Sequence, residues 1–277
     1  MIHYRTRFST ARSTRLTRSA GRFFAAFAVA VLLVATTGCV PEHLATDPQR
    51  LERGKVIVLP GIEGPSIWNH ELVAGLADGG INCAIERYEW GTSIPGGALI
   101  NLADLPANRR KAGQLAQHIV KYQERYPGRP VVLVGHSGGA GMALLALERL
   151  PADVKVEAAF LLAAAVGPSF DTGPAREHLS GALINCYSRH DALLLGLGTS
   201  IFGTVDREFG FAAGAVGFQE LAPRASSRSS GDVAPLQQVE WTPSFIKLGN
   251  IGQHESWTNR YFVRKWLAPR VKDHLGN

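Results

Sequence analysis

The chain has 277 residues, 45% of them hydrophobic and 19% charged, a composition suited to a globular protein with a sizeable core in one large domain or two small ones. Its net charge of +6 is confined to six arginines ahead of Phe23; residues 39–277 hold 23 basic and 23 acidic side chains. That balance removes charge as an argument for nucleic-acid binding. With no Cys-x-x-Cys pair or histidine cluster, the sequence points to no metal and no cofactor.

The arginines precede an apolar run over residues 23–35, short for a membrane span and suited to a secretory signal. The run ends in Thr36-Thr37-Gly38-Cys39. This resembles the lipobox of bacterial lipoproteins, in which small residues precede a cysteine that is lipidated and becomes the new N-terminus. Thr36 stands where such proteins usually carry leucine. The expectation is a signal peptide over residues 1–38, lipidation at Cys39, a polar tether over 39–53 and a domain over 54–277. The protein is then exported to the cell envelope and associated with a membrane through Cys39. An ordinary signal peptide, a membrane anchor or an organelle transit peptide are the alternatives. Basic residues ahead of the apolar run place the C-terminal domain outside in any case where the segment spans.

Beyond the tether, residues 55–61 read as a short buried strand, 61–66 as a loop and 68–78 as a helix ended by Gly79-Gly80. Residues 82–90 read as a more polar strand, nearer a sheet edge, followed by a loop over 91–101 rich in Gly and Pro. In the next helix Ala112, Leu115, Ala116, Ile119 and Val120 share one face, and Tyr126-Pro127-Gly128 stops it. Then come a strand from Pro130, a helix to Leu150, and strands over 156–165 and 182–188. Residues 192–240 are harder to read; Phe202, Phe209, Phe211 and Phe218 suit either a small lid or packing beneath the sheet, with packing favoured. A last strand is expected over 245–248 and a terminal helix over 257–267, before Pro269. Alternating strands and helices argue for one α/β domain with a mostly parallel sheet covered on both faces. Cys83 and Cys186 fall in strands far apart in such a sheet, so two buried free thiols are expected.

The stretch with chemistry is Val131-Val132-Leu133-Val134-Gly135-His136-Ser137-Gly138-Gly139, a buried strand followed by G-x-S-x-G and a helix. In a nucleophile elbow the glycines are needed because side chains there would clash with the strand and helix, and the turn lifts the serine oxygen off the strand end. The helix N-terminus then offers the Gly138 N–H to a developing oxyanion. A serine hydroxyl needs a histidine to take its proton and a carboxylate to orient that histidine. In an open α/β sheet these groups belong just past strand C-termini. Asp191 follows the strand ending near Tyr187, and His254 follows the last expected strand. Asp206 competes with Asp191, and His190 and His274 compete with His254. His136 reads as a packing residue, and His70, His118 and His178 as surface residues of helix or loop.

The Gly61 loop, the elbow, Tyr187-Ser188-Arg189-His190-Asp191 and Gly252-Gln253-His254 together resemble an α/β-hydrolase of the serine esterase and lipase type, over roughly residues 54–270. The resemblance implies an α/β-hydrolase fold with a reduced sheet of about six strands and no large cap domain, since only residues 166–181 are available for one. It implies Ser137 as nucleophile, His254 as base and then acid, Asp191 as orienting acid and Gly138 as an oxyanion donor. The second donor matches Ile62, in a Pro60-Gly61 context where relatives often have His-Gly, with Glu63 next in line. The implied activity is cleavage of a small-molecule or lipid carboxylic ester through an acyl-enzyme. Acyltransferase, amidase or thioesterase chemistry on the same triad, and a non-catalytic scaffold binding a ligand in the envelope, are the alternatives.

Overall fold

A computed structural model describes residues 43–62, 66–91, 104–191, 205–206, 211–219 and 233–276. The expected signal peptide, Cys39, Glu63, Phe202 and Phe209 lie outside the described residues. Six strands form one parallel sheet in the order β2-β1-β3-β4-β5-β6. They are β1 Lys55–Leu59, β2 Ala84–Arg87, β3 Val131–His136, β4 Val156–Leu162, β5 Leu179–Tyr187 and β6 Leu236–Glu240. The helices are α1 His43–Thr46, α2 Pro48–Leu51, α3 Ile67–Asp78, α4 Leu105–Arg125, α5 Gly138–Leu147, α6 Gly173–Arg176, α7 Ala213–Val216, α8 Arg260–Phe262 and α9 Ala268–Asp273. Only α6 lies between β4 and β5, in keeping with the expected absence of a large cap there.

The sheet is buried on both faces because its central strands carry apolar runs, Val56–Leu59, Val131–Val134 and Ala158–Leu162. Side chains alternate across it. Ile57, Leu59, Leu133 and Ala159 point into one core with Leu115, Ile119 and Met142, under α4 and α5. Val56, Val58, Val132, Val134 and Phe160 point into the other, with Leu72 and Leu76 of α3 and Phe262, Val263 and Val271 of the C-terminal segment. The expected face of α4 is buried at Ala112, Leu115, Ala116 and Ile119, and it extends to Asn108 and Tyr122. Asp104 caps that helix by accepting from Ala107 N–H at 2.9 Å. Residues 43–51, inside the segment read as a tether, form α1 and α2, with Leu44 buried and Arg50 donating to the Ile81 carbonyl at 2.7 Å. Cys83 and Cys186 are free and buried, and burial pushes their thiols up to about 11 and about 12.

Three expectations are corrected. The last strand is not 245–248 but β6, which begins nine residues earlier in the stretch that resisted reading. It has the sequence Leu-Gln-Gln-Val-Glu and pairs on one side with β5, so most of its side chains face water and it lacks an apolar signature. Residues 243–248 form a 3₁₀ turn instead, and Phe245 packs against Trp257, Phe262 and Trp266 with ring centroids 5.3–6.2 Å apart. The terminal helix does not stop before Pro269. A π turn, Val263–Leu267, hands over to α9, and Pro269 falls in the first turn of α9, where its missing N–H matters least. His118 is not a free surface residue: its Nε2 lies 2.9 Å from Glu86 Oε2, beside Lys55 at 2.7 Å.

The phenylalanine-bearing stretch divides. Phe218 is buried in the core, whereas Phe211 is 55% exposed. Residues 213–214 lie across the C-terminal ends of β4 and β5 and not beneath the sheet: Ala213 and Gly214 N–H donate to the Val166 and Ala164 carbonyls, and the Gly214 carbonyl accepts from Ser188.

The site depends on how close α5 comes to β1. A Cβ on Gly139 would fall inside van der Waals contact of the Leu59 and Pro60 carbonyls, and one on Gly135 would lie 2.6 Å from Ala140 Cα. Both obstacles are backbone, which relaxes poorly. Gly139→Ala should therefore cost about 3 kcal/mol or more in urea unfolding, and a cost below about 1 kcal/mol would show that α5 can retreat from β1.

Candidate active site

Ser137 sits between β3 and α5 with φ 53° and ψ −120°. A non-glycine residue there costs about 1–3 kcal/mol and persists only where neighbours over-determine it. They do so here. Ser137 N–H donates to the Leu162 carbonyl at 2.9 Å, and its carbonyl accepts from Ala140 and Ala165, each at 3.1 Å. The other non-glycine residue with positive φ among the described residues is Ala163, one residue beyond β4 and next to these contacts. Strain is thus concentrated at the C-terminal edge of the central strands.

Asp191 ends a one-turn 3₁₀ segment just past β5 and is buried. Its Oδ2 lies 2.8 Å from His254 Nδ1. A carboxylate can only accept, so Nδ1 carries the proton and Nε2 is the basic nitrogen of the ring. Burial raises the Asp191 pKa, an effect opposed by the hydrogen bond and charge of His254. Asp191 Oδ1 is buried without a hydrogen-bond partner, so the pairing with His254 is the main compensation for this charge.

His254 stands on a loop built for it. Asn250, fully buried, accepts on Oδ1 from Gly252 N–H at 2.9 Å and from Ser256 Oγ at 2.8 Å. Trp241 Nε1 donates to the Asn250 carbonyl at 3.0 Å. Gly252, at φ +82°, passes so near the Trp241 ring that a Cβ would lie 2.9 Å from it. Asn250 and Trp241 carry no motif, and only the glycines at 249 and 252 mark the loop in the sequence.

His136 does more than fill space. It is fully buried, its ring centroid is 4.8 Å from that of His254, and its Nε2 donates to the His254 carbonyl at 3.2 Å. This contact holds His254 against the residue that precedes the elbow serine. Glu255 Oε2 lies 3.9 Å from the same nitrogen. His136, His254 and Glu255 bring potential ligand atoms within 4.8 Å of one another. The His136 nitrogen facing the carbonyl must carry hydrogen, however, and His254 Nδ1 is turned to Asp191, so those two nitrogens serve hydrogen bonds in this arrangement.

The competing residues are placed elsewhere. Asp206 accepts from Gly167 N–H with both oxygens, at 3.0 and 3.2 Å, and so ties residue 206 to the segment after β4. His190 lies edge-on to Trp241 at 4.8 Å. His274 packs on Phe160 and near Gly181, at the opposite end of β5 from Asp191. Ile62 is half-buried, and its Cγ2 is 2.5 Å from where a Gly138 Cβ would be, so the first βα loop rests on the start of α5.

Burial pushes the His136 pKa down to about 4 from 6.5. Folding therefore favours the neutral ring, and this stability is complete above about pH 6.5 and is lost as pH falls from there to about 4. Urea unfolding from pH 7 to 4 should show the wild type losing about 2–3 kcal/mol more than His136→Gln over that range. Parallel losses would show that His136 is charged in the fold without cost.

The profile of the Alpha/beta hydrolase family matches residues 56–271. A search of curated proteins finds no match to the sequence. Among solved structures, Aspergillus fumigatus lipase B is similar at 11% identity and TM-score 0.46, over 86% of this chain and 59% of its own length, so this chain spans under two thirds of that lipase. The type II thioesterase BorB from the borrelidin biosynthetic cluster is similar at 16% identity and TM-score 0.43, over 81% of this chain and 92% of its own. The esterase domain of a Rhodothermus marinus protein is similar at 14% identity and TM-score 0.42, over 84% and 91%. With a parallel six-stranded sheet and a family match that runs from β1 into α9, the chain belongs to the alpha/beta hydrolase family.

Proposed function

We propose that the protein is a serine hydrolase that cleaves a carboxylic ester of a small molecule or lipid through an acyl-enzyme on Ser137. The observation that carries this reading is the 2.8 Å contact of His254 Nδ1 with buried Asp191, the His254 ring being packed on His136, the neighbour of a serine held at φ 53°. His254 Nε2 takes the Ser137 proton as Oγ attacks the ester carbonyl, and Asp191 stabilises the imidazolium that forms. The N–H groups of Gly138, at the free N-terminus of α5, and of Ile62 receive the oxyanion. His254 then gives its proton to the leaving alcohol, and water, activated by the same ring, releases the acid and restores the serine.

Fluorophosphonate treatment should add one phosphonyl group to Ser137, located by peptide mass, and Ser137→Ala should abolish it. His254→Ala should slow labelling by at least about 10³-fold, and Asp191→Asn should lower kcat for an activated ester by about 10⁴-fold. Well-folded wild-type protein that neither labels nor cleaves short- and long-chain esters would overturn the reading.

The place of action belongs to the same proposal: export directed by residues 1–38 and membrane attachment through a lipidated Cys39. Its support is the arginine-rich start, the apolar run and Gly38-Cys39. In a bacterial host, labelled palmitate should enter the wild type and not Cys39→Ser. Equal labelling of both, or none in either, would remove the lipid anchor.

A further inference from the structure

Trp90 is a buried group at this end of the sheet that the reaction leaves without a task. It follows β2 by three residues, yet its contacts reach across β1 to the elbow. Its side chain is 3% exposed, and its indole Nε1–H donates to the Pro60 carbonyl at 2.7 Å. Pro60 has no N–H of its own and stands between the last residue of β1 and Gly61-Ile62. The indole hydrogen bond is thus a fixed tie on the backbone that leads into the first βα loop.

The same ring meets the other side of the oxyanion site. A Cβ on Gly138 would lie 3.3 Å from Trp90 Cζ2 and 2.5 Å from Ile62 Cγ2. The six-membered edge of the indole, the Ile62 side chain and the Gly138 backbone therefore meet at one point. Gly139, one residue on, presses against the Leu59 and Pro60 carbonyls. One rigid side chain fills the space beside the Cα of one donor and restrains, two residues away, the backbone of the other.

We propose that Trp90 is a positioning residue for the oxyanion site, holding the Pro60–Ile62 loop against the start of α5 through its indole N–H. The assignment rests on the ester-cleaving reading above. Two N–H groups stabilise an oxyanion only if both are fixed where the charge develops, before the reaction begins. Displacement of a reacting group by about 1 Å costs on the order of 10²-fold in rate. A donor lost from Trp90 frees the loop and leaves the Pro60 carbonyl buried without its partner. The Gly138 N–H remains in place as part of α5.

The test replaces Trp90 by β-(3-benzothienyl)alanine, which keeps the shape of the ring and exchanges N–H for sulfur, with Trp90→Phe as a second variant. Full-length protein would be assayed on an activated ester and titrated with an alkyl boronic acid, which forms a tetrahedral adduct with an activated serine. The expected result for the benzothienyl variant is kcat lower by about 10- to 100-fold, KM within about threefold of wild type, and boronic acid affinity lower by a factor similar to that in kcat. A role confined to packing leaves all three unchanged in the benzothienyl protein. That outcome, or a raised KM at unchanged kcat, overturns the assignment while the ester-cleaving reading stands. A wild-type protein inert to esters and to fluorophosphonate overturns both. Trp90→Phe, which also removes ring volume, should be at least as impaired in kcat, and a Phe variant with wild-type kcat would likewise sink the proposal.

Discussion

The close approach of the α5 N-terminus to the end of β1 is the constraint on which the rest of the molecule depends. Gly135, Gly138 and Gly139 each lack a side chain at a point where one would meet backbone or packed side chains. With those atoms absent, α5 lies in the core with every residue buried, and its N-terminus comes out at the C-terminal edge of the sheet. A helix so placed directs unsatisfied N–H groups toward the site where β3 ends. The strained backbone of Ser137 follows from the same approach. The chain must turn from strand to helix within one residue, and three backbone hydrogen bonds to neighbouring segments hold it there.

Around that serine the polar groups form one chain with little latitude. Asp191 can only accept, so His254 must present Nδ1–H to it; the His254 carbonyl can only accept, so His136 must present Nε2–H. Each acceptor fixes the tautomer of the ring that faces it. Their burial strengthens the bonds and makes an unpaired group costly. The same burial lifts the Asp191 carboxyl and lowers the His136 ring, so His136 stays neutral while Asp191 depends on His254 for its charge. Two histidines 4.8 Å apart therefore differ in character: one is aligned by a carboxylate and the other is held uncharged by its surroundings.

The opposite edge of the sheet has a different physical character. Lys55, the first residue of β1, pairs with Glu86 at 2.7 Å, and His118 completes the cluster. Burial alone would raise the Glu86 pKa, but the hydrogen bonds and charges of His118 and Lys55 outweigh it and hold the carboxyl at about 2. Tyr122 reaches from α4 to the Leu51 carbonyl at 2.7 Å, which binds α2 to the same end. These contacts close the ends of strands and helices. They store no backbone strain of the kind found at Ser137 and Ala163. A parallel sheet separates the two functions in this way because all its strands begin at one edge and finish at the other.

Much of this was legible in the chain itself. An unbroken Val131–Val134 run specifies a central strand, an i, i+3, i+4 face specifies α4, and Gly-x-Ser-x-Gly between strand and helix specifies the elbow, because each pattern encodes local geometry. The positions of Asp191 and His254 past strand ends were legible as candidates alone. Their 2.8 Å contact joins residues 63 apart in sequence, and only the folded sheet sets that distance and sends Asp206 to Gly167 instead. Strand β6 was illegible because an edge strand with one neighbour needs no apolar pattern, and the run through Pro269 because a π turn precedes it. His136, Asn250 and Trp90 take their meaning from hydrogen bonds to carbonyls distant in the chain. Sequence thus determined the elements with a period or a steric signature of their own, whereas tertiary structure decided the pairings between elements, since a buried polar group finds its partner only when strands and loops have been brought side by side.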